Sequence, residues 1–220
     1  MIYMHLTRSD IQNLERKRKL NIINSVSGIK PANLVGSVSN KGETNLAIFS
    51  SVFHLGSDPA LLGFITRPTG EVPRHSYENI KENGFFTINQ IPISIVEKAH
   101  YTSAKVDRSV SEFDKCGLTV EFINDFQAPF VKESNLKLGM RFEEEMPIKI
   151  NGTIMMIGSI EHLIVPDDAV NEKGYINLEQ IDTVGISGLN SYYSLSHIES
   201  FPFARANEIP NFNDDQSSLK

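Results

Sequence analysis

The sequence predicts a mainly β fold, a single barrel domain with short helices at its periphery. Several short strand-like segments follow one another with only short helical segments between them, unlike the regular strand–helix alternation of a parallel βαβ sheet. No internal repeat and no Pro-, Gly- or Ser-rich linker divides the 220 residues. Barrels of this length commonly form one domain, so we expect a single core.

The first 28 residues are predicted to be a helical segment that precedes the barrel. Ser9 opens a capping-box pattern, and Ile11 and Leu14 lie on one face of the short helix that would follow. The basic run at 16–19 is then expected near a helix C-terminus, where cations complement the helix dipole.

Strand signals begin after Pro31. The predicted strands are residues 34–39, 44–52, 61–66, 85–89, 118–123, 136–142 and 153–160, the last running on to 165. The first two form a predicted hairpin around a turn at 40–42, and Asp58-Pro59 marks a second turn. Helices are predicted at 76–81, stopped by Asn83-Gly84, and at 92–104. The polar tail at 206–220 is predicted to be disordered.

Charge and composition exclude several classes of function. A net charge of −6 does not fit a nucleic-acid-binding surface, which needs a basic face. Cys116 is the single cysteine, which rules out an internal disulfide framework or a cysteine-based metal site, and the six histidines lack metal-ligand spacing. The N-terminal residues do not resemble a signal peptide, and no apolar run reaches the roughly 20 residues of a membrane span. We therefore expect a cytoplasmic protein that binds neither nucleic acid, membrane nor metal.

Small polar residues are concentrated at the ends of the predicted strands. They are Ser37, Ser39, Asn45, Ser50, Ser51 and Ser76. Their hydroxyl and amide groups could bind an anionic phosphate, with Arg67 adding charge, but serines at strand ends are also common turn formers. Phosphate-loop, HExxH, GxGxxG and GxSxG signatures are absent from the sequence. The residues alone leave both interpretations open.

A series of short motifs carries a family resemblance. In order they are Gly36-Ser37-Val38-Ser39, Gly42, residues 45–51, Asp58-Pro59, Arg67, residues 75–80, 86–89, 99–105, 111–113, 129–134 and 151–158. Together they resemble the flavin reductase-like family, the FMN-binding split barrel, over roughly residues 29–193. The resemblance implies a Greek-key split barrel at residues 29–205.

The resemblance also implies a cofactor and its binding residues. FMN would lie at a homodimer interface, with Asn45 on the isoalloxazine or ribityl chain, Ser50 and Ser51 on the ribityl phosphate, and Phe49 in the same motif strand. The candidates for the phosphate itself are Arg67, Ser76 and Lys105. Bound FMN would accept hydride from NAD(P)H, so the protein binds and orients the flavin and needs no catalytic acid or base. A monooxygenase that uses the reduced flavin is a possible partner.

One motif departs from the family pattern. Many family reductases carry Gly-Asp-His where this chain has Asn151-Gly152-Thr153. We therefore expect weaker nicotinamide binding, with His100 or His162 as the nearest substitutes. Two alternatives stay open, namely a flavoredoxin-like electron carrier reduced by a protein donor and a barrel that binds a ligand without redox chemistry.

Overall fold

A computed structural model of the chain describes residues 2–70 and 72–212. Its strands are β1 (Lys30–Pro31), β2 (Asn33–Val38), β3 (Thr44–Phe49), β4 (Phe53–Ser57), β5 (Ala60–Thr66), β6 (Phe85–Gln90), β7 (Val120–Glu121), β8 (Phe130–Val131), β9 (Lys137–Ile148), β10 (Thr153–Ile164), β11 (Val184–Ser187) and β12 (Ser191–Ser194). Its α-helices are α1 (Arg8–Asn13), α2 (Arg16–Ser25), α3 (His75–Asn83), α4 (Val96–Tyr101) and α5 (Glu112–Cys116). Short 3₁₀ turns occupy Ile93–Ile95, Asp167–Ala169 and Ala206–Glu208.

A seven-stranded antiparallel sheet in the order β3-β2-β6-β9-β10-β5-β4 forms the body of the fold. The register of β9 and β10 shifts at Ile157/Gly158 and again at Ile160/His162. Such irregularities bend strands and increase their twist, so the sheet curls on itself. The curl brings β3 to β5, where the rings of Phe49 and Phe64 lie 4.9 Å apart. This mainly β architecture with short helices confirms the predicted fold class.

The interior of the curled sheet is filled by large apolar side chains. Its fully buried members include Phe64, Phe86, Ile88, Met140 and Met156. Burying each such side chain contributes about 1.5–3 kcal/mol, so this cluster supplies much of the driving force that closes the sheet. A second cluster packs β11, β12, α4 and α5 against the sheet.

Gly36 in the first family motif has a packing role. A Cβ atom here would lie 2.2 Å from the Pro129 carbonyl oxygen and 2.6 Å from Oγ1 of Thr87. The Thr87 hydroxyl donates to the same Pro129 carbonyl at 2.6 Å. Glycine therefore lets the segment before β8 lie directly on the sheet.

Most predicted strands lie within one or two residues of their observed bounds, and the differences have local causes. β3 ends at Phe49 and not at residue 52, because its partner strand begins at Asn33, opposite Phe49. The strand predicted at 118–123 shortens to β7, and the one at 136–142 continues to Ile148 as half of a long hairpin. β4, β11 and β12 were not predicted. β4 is a mostly exposed edge strand, so its sequence lacks a buried face.

The prediction of one helix at 92–104 was wrong. A 3₁₀ turn comes first, and α4 ends at Tyr101. The hydroxyls of Thr102 and Ser103 each donate at 2.8 Å to the carbonyls of Ala99 and His100, respectively. Such side-chain bonds compete with continuation of the helix. The helix therefore ends at Tyr101, and residues 102–108 form a loop.

The N-terminal prediction was partly wrong. The capping box is formed by Thr7 and Asp10, so its N-cap lies two residues before Ser9. The basic run at 16–19 opens α2, where it does not complement the dipole. Glu15 offsets this by accepting from the backbone N–H groups of Lys17 and Arg18, which lowers the pKa of its carboxyl.

Three further sequence expectations concern the tail, the membrane and metals. Within the predicted tail, Ala206–Glu208 forms a 3₁₀ turn, and residues 213–220 lie outside the described residues. Of the helices in the described part, none combines the length and apolarity needed to cross a bilayer. Across residues 2–70 and 72–212, no group of three His, Cys, Asp or Glu side chains could hold a metal ion.

Candidate flavin site

A cleft of about 830 Å³ opens between β3, the end of β5, the start of α3 and the loop at 102–108. We call it the β3–β5 cleft. All of the site residues named from the sequence line it, namely Asn45, Phe49, Ser50, Ser51, Arg67, Ser76 and Lys105. They come from four separate parts of the chain, and the curl of the sheet brings them together. Their individual roles toward a ligand stay predictions.

The Ser51 hydroxyl bridges two segments that line the cleft. It donates to the carbonyl of Ile65 and accepts from the N–H of Ile65, both at 3.1 Å. This pair of bonds joins the segment after β3 to β5, where no backbone ladder connects the two strands. The hydroxyl proton is therefore used within the protein, and what remains free on the oxygen is a lone pair.

The first turn of α3 begins at the cleft with its backbone donors free. Arg74 is the N-cap residue and makes no side-chain capping bond. In the described part of the chain, the N–H groups of His75, Ser76 and Tyr77 have no acceptor, and all three residues line the cleft. Uncapped N–H groups together with the helix dipole favour an anion at this position.

Ser76 adds a side-chain donor to this helix start. Its Oγ accepts from Nδ2 of Asn45 at 2.8 Å, and both residues are buried. Because the Ser76 oxygen is already an acceptor here, its own proton is free to be donated to another group. Oδ1 of Asn45 is likewise left as an acceptor. The pair thus links β3 to α3 and presents one donor and one acceptor.

The positive charges around the cleft differ in whether they are paired. Arg108 bonds Glu78 at 2.5 Å and Asn79 at 2.9 Å, and lies 3.6 Å from Glu43. Arg67 and Lys105 are exposed and form no ion pair with any described residue. They and Arg74, whose Nε donates to a backbone carbonyl, are the cleft cations that can serve a ligand.

Arg74, His75 and Glu112 also line the cleft and were not named from the sequence. The Arg74 Nε donates to the Pro68 carbonyl at 3.2 Å, which directs this side chain along the loop after β5. The position of Arg74 and His75 immediately before the helix signal at Ser76 was the clue that could have found them.

Glu112 fastens the cleft loop to the barrel. Its buried carboxylate accepts from the Leu46 N–H at 2.9 Å, and the neighbouring Ser111 hydroxyl lies 2.8 Å from that of Thr44. Burial raises the pKa of the Glu112 carboxyl. Both contacts join the end of the Lys105 loop to β3. An isolated acidic residue in a predicted loop gave no signal of this in the sequence.

The departing motif lies beside the cleft. Ile154 pairs with Thr66, which puts Thr153 next to the end of β5, where Arg67 follows. The Thr153 hydroxyl donates to Oδ1 of Asn151 at 2.8 Å.

The histidines suggested as substitutes lie elsewhere. His100 bonds the Tyr192 hydroxyl at 3.0 Å, and His162 packs on Phe126. Neither lines the cleft, whereas His75 does.

Comparison with known proteins gives the family context. The model of the flavin reductase like domain matches residues 29–182. A putative flavin reductase with a split barrel domain from Shewanella frigidimarina NCIMB 400 is 48% identical, with a TM-score of 0.88 over 92% of this chain and 100% of that chain.

Two more distant structures share the fold. Nitrilotriacetate monooxygenase component B from Bacillus cereus is 20% identical, with a TM-score of 0.79 over 91% of this chain and 100% of that one. Flavoredoxin from Desulfovibrio vulgaris (Miyazaki F) is also 20% identical, with a TM-score of 0.70 over 82% of this chain and 94% of that one. At these identities the likeness establishes the split-barrel fold and no more.

Proposed function

The chain belongs to the flavin reductase-like family, and from this premise we propose that it is an FMN-dependent oxidoreductase whose flavin occupies the β3–β5 cleft. The cleft volume of about 830 Å³ lies within the roughly 300–1,000 Å³ typical of cofactor sites. Apolar side chains such as Phe49 and Ile65 line it beside the polar ones. This mixture suits an aromatic ring with a phosphorylated tail.

The observation that carries the proposal is the uncapped start of α3. Its free N–H groups and the available Ser76 proton form a binding site for a phosphate. Each hydrogen bond to a charged group contributes about 1.5–3 kcal/mol. Arg67 and Lys105 line the same cleft and have no ion-pair partner among the described residues, so they are available to neutralise the phosphate charge.

The remaining residues would orient the flavin. Oδ1 of Asn45 can accept from a ribityl hydroxyl, because only Nδ2 is used internally. Ser50 lies on the same cleft wall, and Ser51 holds that wall against β5. Glu112 and Ser111 keep the Lys105 loop attached to β3. The site is thus built on paired strands and a helix end, which limits the freedom of the bound cofactor.

We propose NAD(P)H as the hydride donor. FMN, when bound, supplies the two-electron chemistry, and this chain binds and orients it. No acid or base in the cleft has to act in that transfer. The proposal also includes a cytoplasmic homodimer with FMN at its interface and, in view of the likeness to a monooxygenase component, transfer of reduced flavin to an oxygenase.

A flavoredoxin-like electron carrier is the second candidate. It is favoured by Thr153 at the cleft edge, where many family reductases have histidine, and is consistent with the shared fold of flavoredoxin. Such a carrier would be reduced by a protein donor and not by nicotinamide.

The absorption spectrum of the purified protein tests the cofactor assignment. We expect the purified protein to show a flavin absorption band near ~450 nm. If it is purified without flavin, we expect the band to stay with the protein on gel filtration after FMN is added. Titration should saturate at one FMN per chain. A protein that stays colourless after incubation with excess FMN would refute the proposal and favour a barrel without redox function.

A further inference from the structure

The C-terminal part of the described chain leaves the barrel without packing on it. Every residue from 196 to 212 is exposed, and we call this segment the C-terminal arm. Its large apolar side chains are 68–94% exposed, namely Ile198, Phe201, Phe203, Ile209 and Phe212. Segments that stay unfolded and solvated are poor in aromatic residues. Three phenylalanines in so short a segment indicate a surface that another surface covers.

Helix α2 is a second unpartnered surface. It contains no buried residue. Leu20, Ile23 and the C-cap Val26 follow one another at three-residue spacing and are each about half exposed or more. We call these three residues the α2 stripe. The helix therefore gains little from its own barrel, although it has apolar side chains to bury.

The arm and α2 start from the same small sheet. β1 pairs with β11, and β11 pairs with β12, from which the arm continues. Lys30 fixes the end of α2 nearby by donating to the carbonyls of Asn24 and Gly188 at 2.8 and 3.0 Å. Both surfaces are nevertheless exposed in the single chain, so the arm does not cover the helix of its own copy.

Charge makes the two segments complementary. Residues 1–30 contain six Lys and Arg against two Asp and Glu, in a protein whose net charge is −6. The arm contains Glu199 and Glu208 against Arg205, which pairs with Glu208, and the sequence beyond the arm adds Asp214 and Asp215 against Lys220. An apolar stripe beside a basic run thus matches an apolar arm with an acidic balance.

A second copy of the chain carries the surface that each of these segments needs, because every copy has one arm and one α2 stripe. In a two-fold dimer, an arm-to-helix contact occurs twice and closes.

We infer that the C-terminal arm of each copy packs on the α2 stripe of the other copy, with Phe201 and Phe203 as the anchors. The inference rests on the homodimer of the proposed function and adds to it the exchange of arms. The residues of the α2 stripe and of the arm do not line the β3–β5 cleft, to which α2 contributes Asn24, so the substitutions that break the arm contact leave the cleft side chains in place.

Two variants break the contact from opposite sides. Phe201→Ser/Phe203→Ser removes the anchors and keeps the stripe, whereas Leu20→Asp/Ile23→Asp removes the stripe and keeps the anchors. Each should raise the dimer dissociation constant at least ~100-fold, because two apolar anchors are lost at each of two contacts. Combining all four substitutions should add little, because the pairs act on one contact. Ile150→Ser, at an exposed turn between β9 and β10, is the control and should leave dimerisation unchanged.

Mixing the two variants gives the sharper test. Each variant alone has no intact arm-to-helix contact, but a heterodimer regains one. Native mass spectrometry of an equimolar mixture should therefore show heterodimers above the statistical proportion. Statistical mixing with unchanged dissociation constants would overturn the arm exchange and leave the flavin proposal standing. A wild type that stays monomeric with FMN bound would overturn both the exchange and the homodimer.

Discussion

Replacing Ser76 by alanine at the proposed phosphate site should lower both FMN affinity and the stability of the ligand-free protein, and the two effects can be measured separately. The substitution removes a side-chain donor at the start of α3 whose proton is free, because its oxygen already accepts from Asn45 at 2.8 Å. Loss of a hydrogen bond to a charged group costs about 1.5–3 kcal/mol, so FMN affinity should fall about ten- to a hundredfold. Riboflavin lacks the phosphate, and its affinity should change little.

The same substitution has a second, independent effect. It leaves Nδ2 of Asn45 buried without an acceptor, which costs about 1–3 kcal/mol of folding free energy. For a chain of this length each kcal/mol lowers the melting temperature by roughly 2–4 °C. The ligand-free variant should therefore melt several degrees below the ligand-free wild type.

Flavin fluorescence quenching with FMN and riboflavin measures the first effect, and thermal unfolding measures the second. Ser103→Ala is the matched control, because this cleft hydroxyl already donates to the His100 carbonyl at 2.8 Å. Equal losses for FMN and riboflavin in Ser76→Ala, or an equal loss in Ser103→Ala, would refute the placement of the phosphate at α3.

Three further predictions concern charge, nicotinamide and pH. Arg67→Ala should weaken FMN binding about ten- to a hundredfold in the same titration. Arg141→Ala is the control and should leave FMN affinity unchanged, because the Arg141 guanidinium pairs with Glu143 and Glu161 on the barrel surface. Equal FMN affinities for the two variants would remove Arg67 from the site. Thr153→His should lower the Michaelis constant for NADH or NADPH about two- to tenfold in steady-state assays, because it adds one neutral hydrogen bond. An unchanged Michaelis constant would show that the departing motif has no role in nicotinamide binding. Since burial raises the pKa of Glu112, its protonated form is favoured by folding, and the contribution of this group to stability should fall as the pH rises above the ordinary value of 4.5. Glu112→Gln keeps an acceptor for the Leu46 N–H and removes this pH dependence. The melting temperature of the variant should therefore rise relative to that of the wild type as the pH increases. A difference between the two melting temperatures that does not change with pH would contradict the raised pKa of Glu112.

The sequence was sufficient for the fold class and for seven of the residues that line the cleft, for different reasons. Strands such as β2 and β10 are rich in apolar residues, and this hydrophobic pattern was enough to locate them. Asn45, Ser76 and Arg67 were named because of the family motifs, and the curled sheet then brought them to one cleft.

The features that were missed depend on tertiary contacts. Glu112 accepts a hydrogen bond from the Leu46 N–H, which is distant in sequence. The guanidinium of Arg108 bonds Glu78 and Asn79 and is therefore not free for a ligand. The Ser51 hydroxyl donates its proton to the Ile65 carbonyl, a contact that the sequence did not indicate, and its role toward a phosphate stays a prediction. Local patterns contain no information about such pairings.

Anaerobic mixing of the FMN-loaded protein with NADH and with NADPH tests the central claim most directly. If the chain is an NAD(P)H-dependent flavin reductase, the band near ~450 nm should bleach with at least one of the two nucleotides, because hydride transfer reduces the flavin. The reaction should complete with one nucleotide oxidised per FMN. A flavin that binds stoichiometrically but keeps its band with both nucleotides, and loses it with dithionite, would contradict the reductase assignment and leave the electron carrier as the function of this cleft.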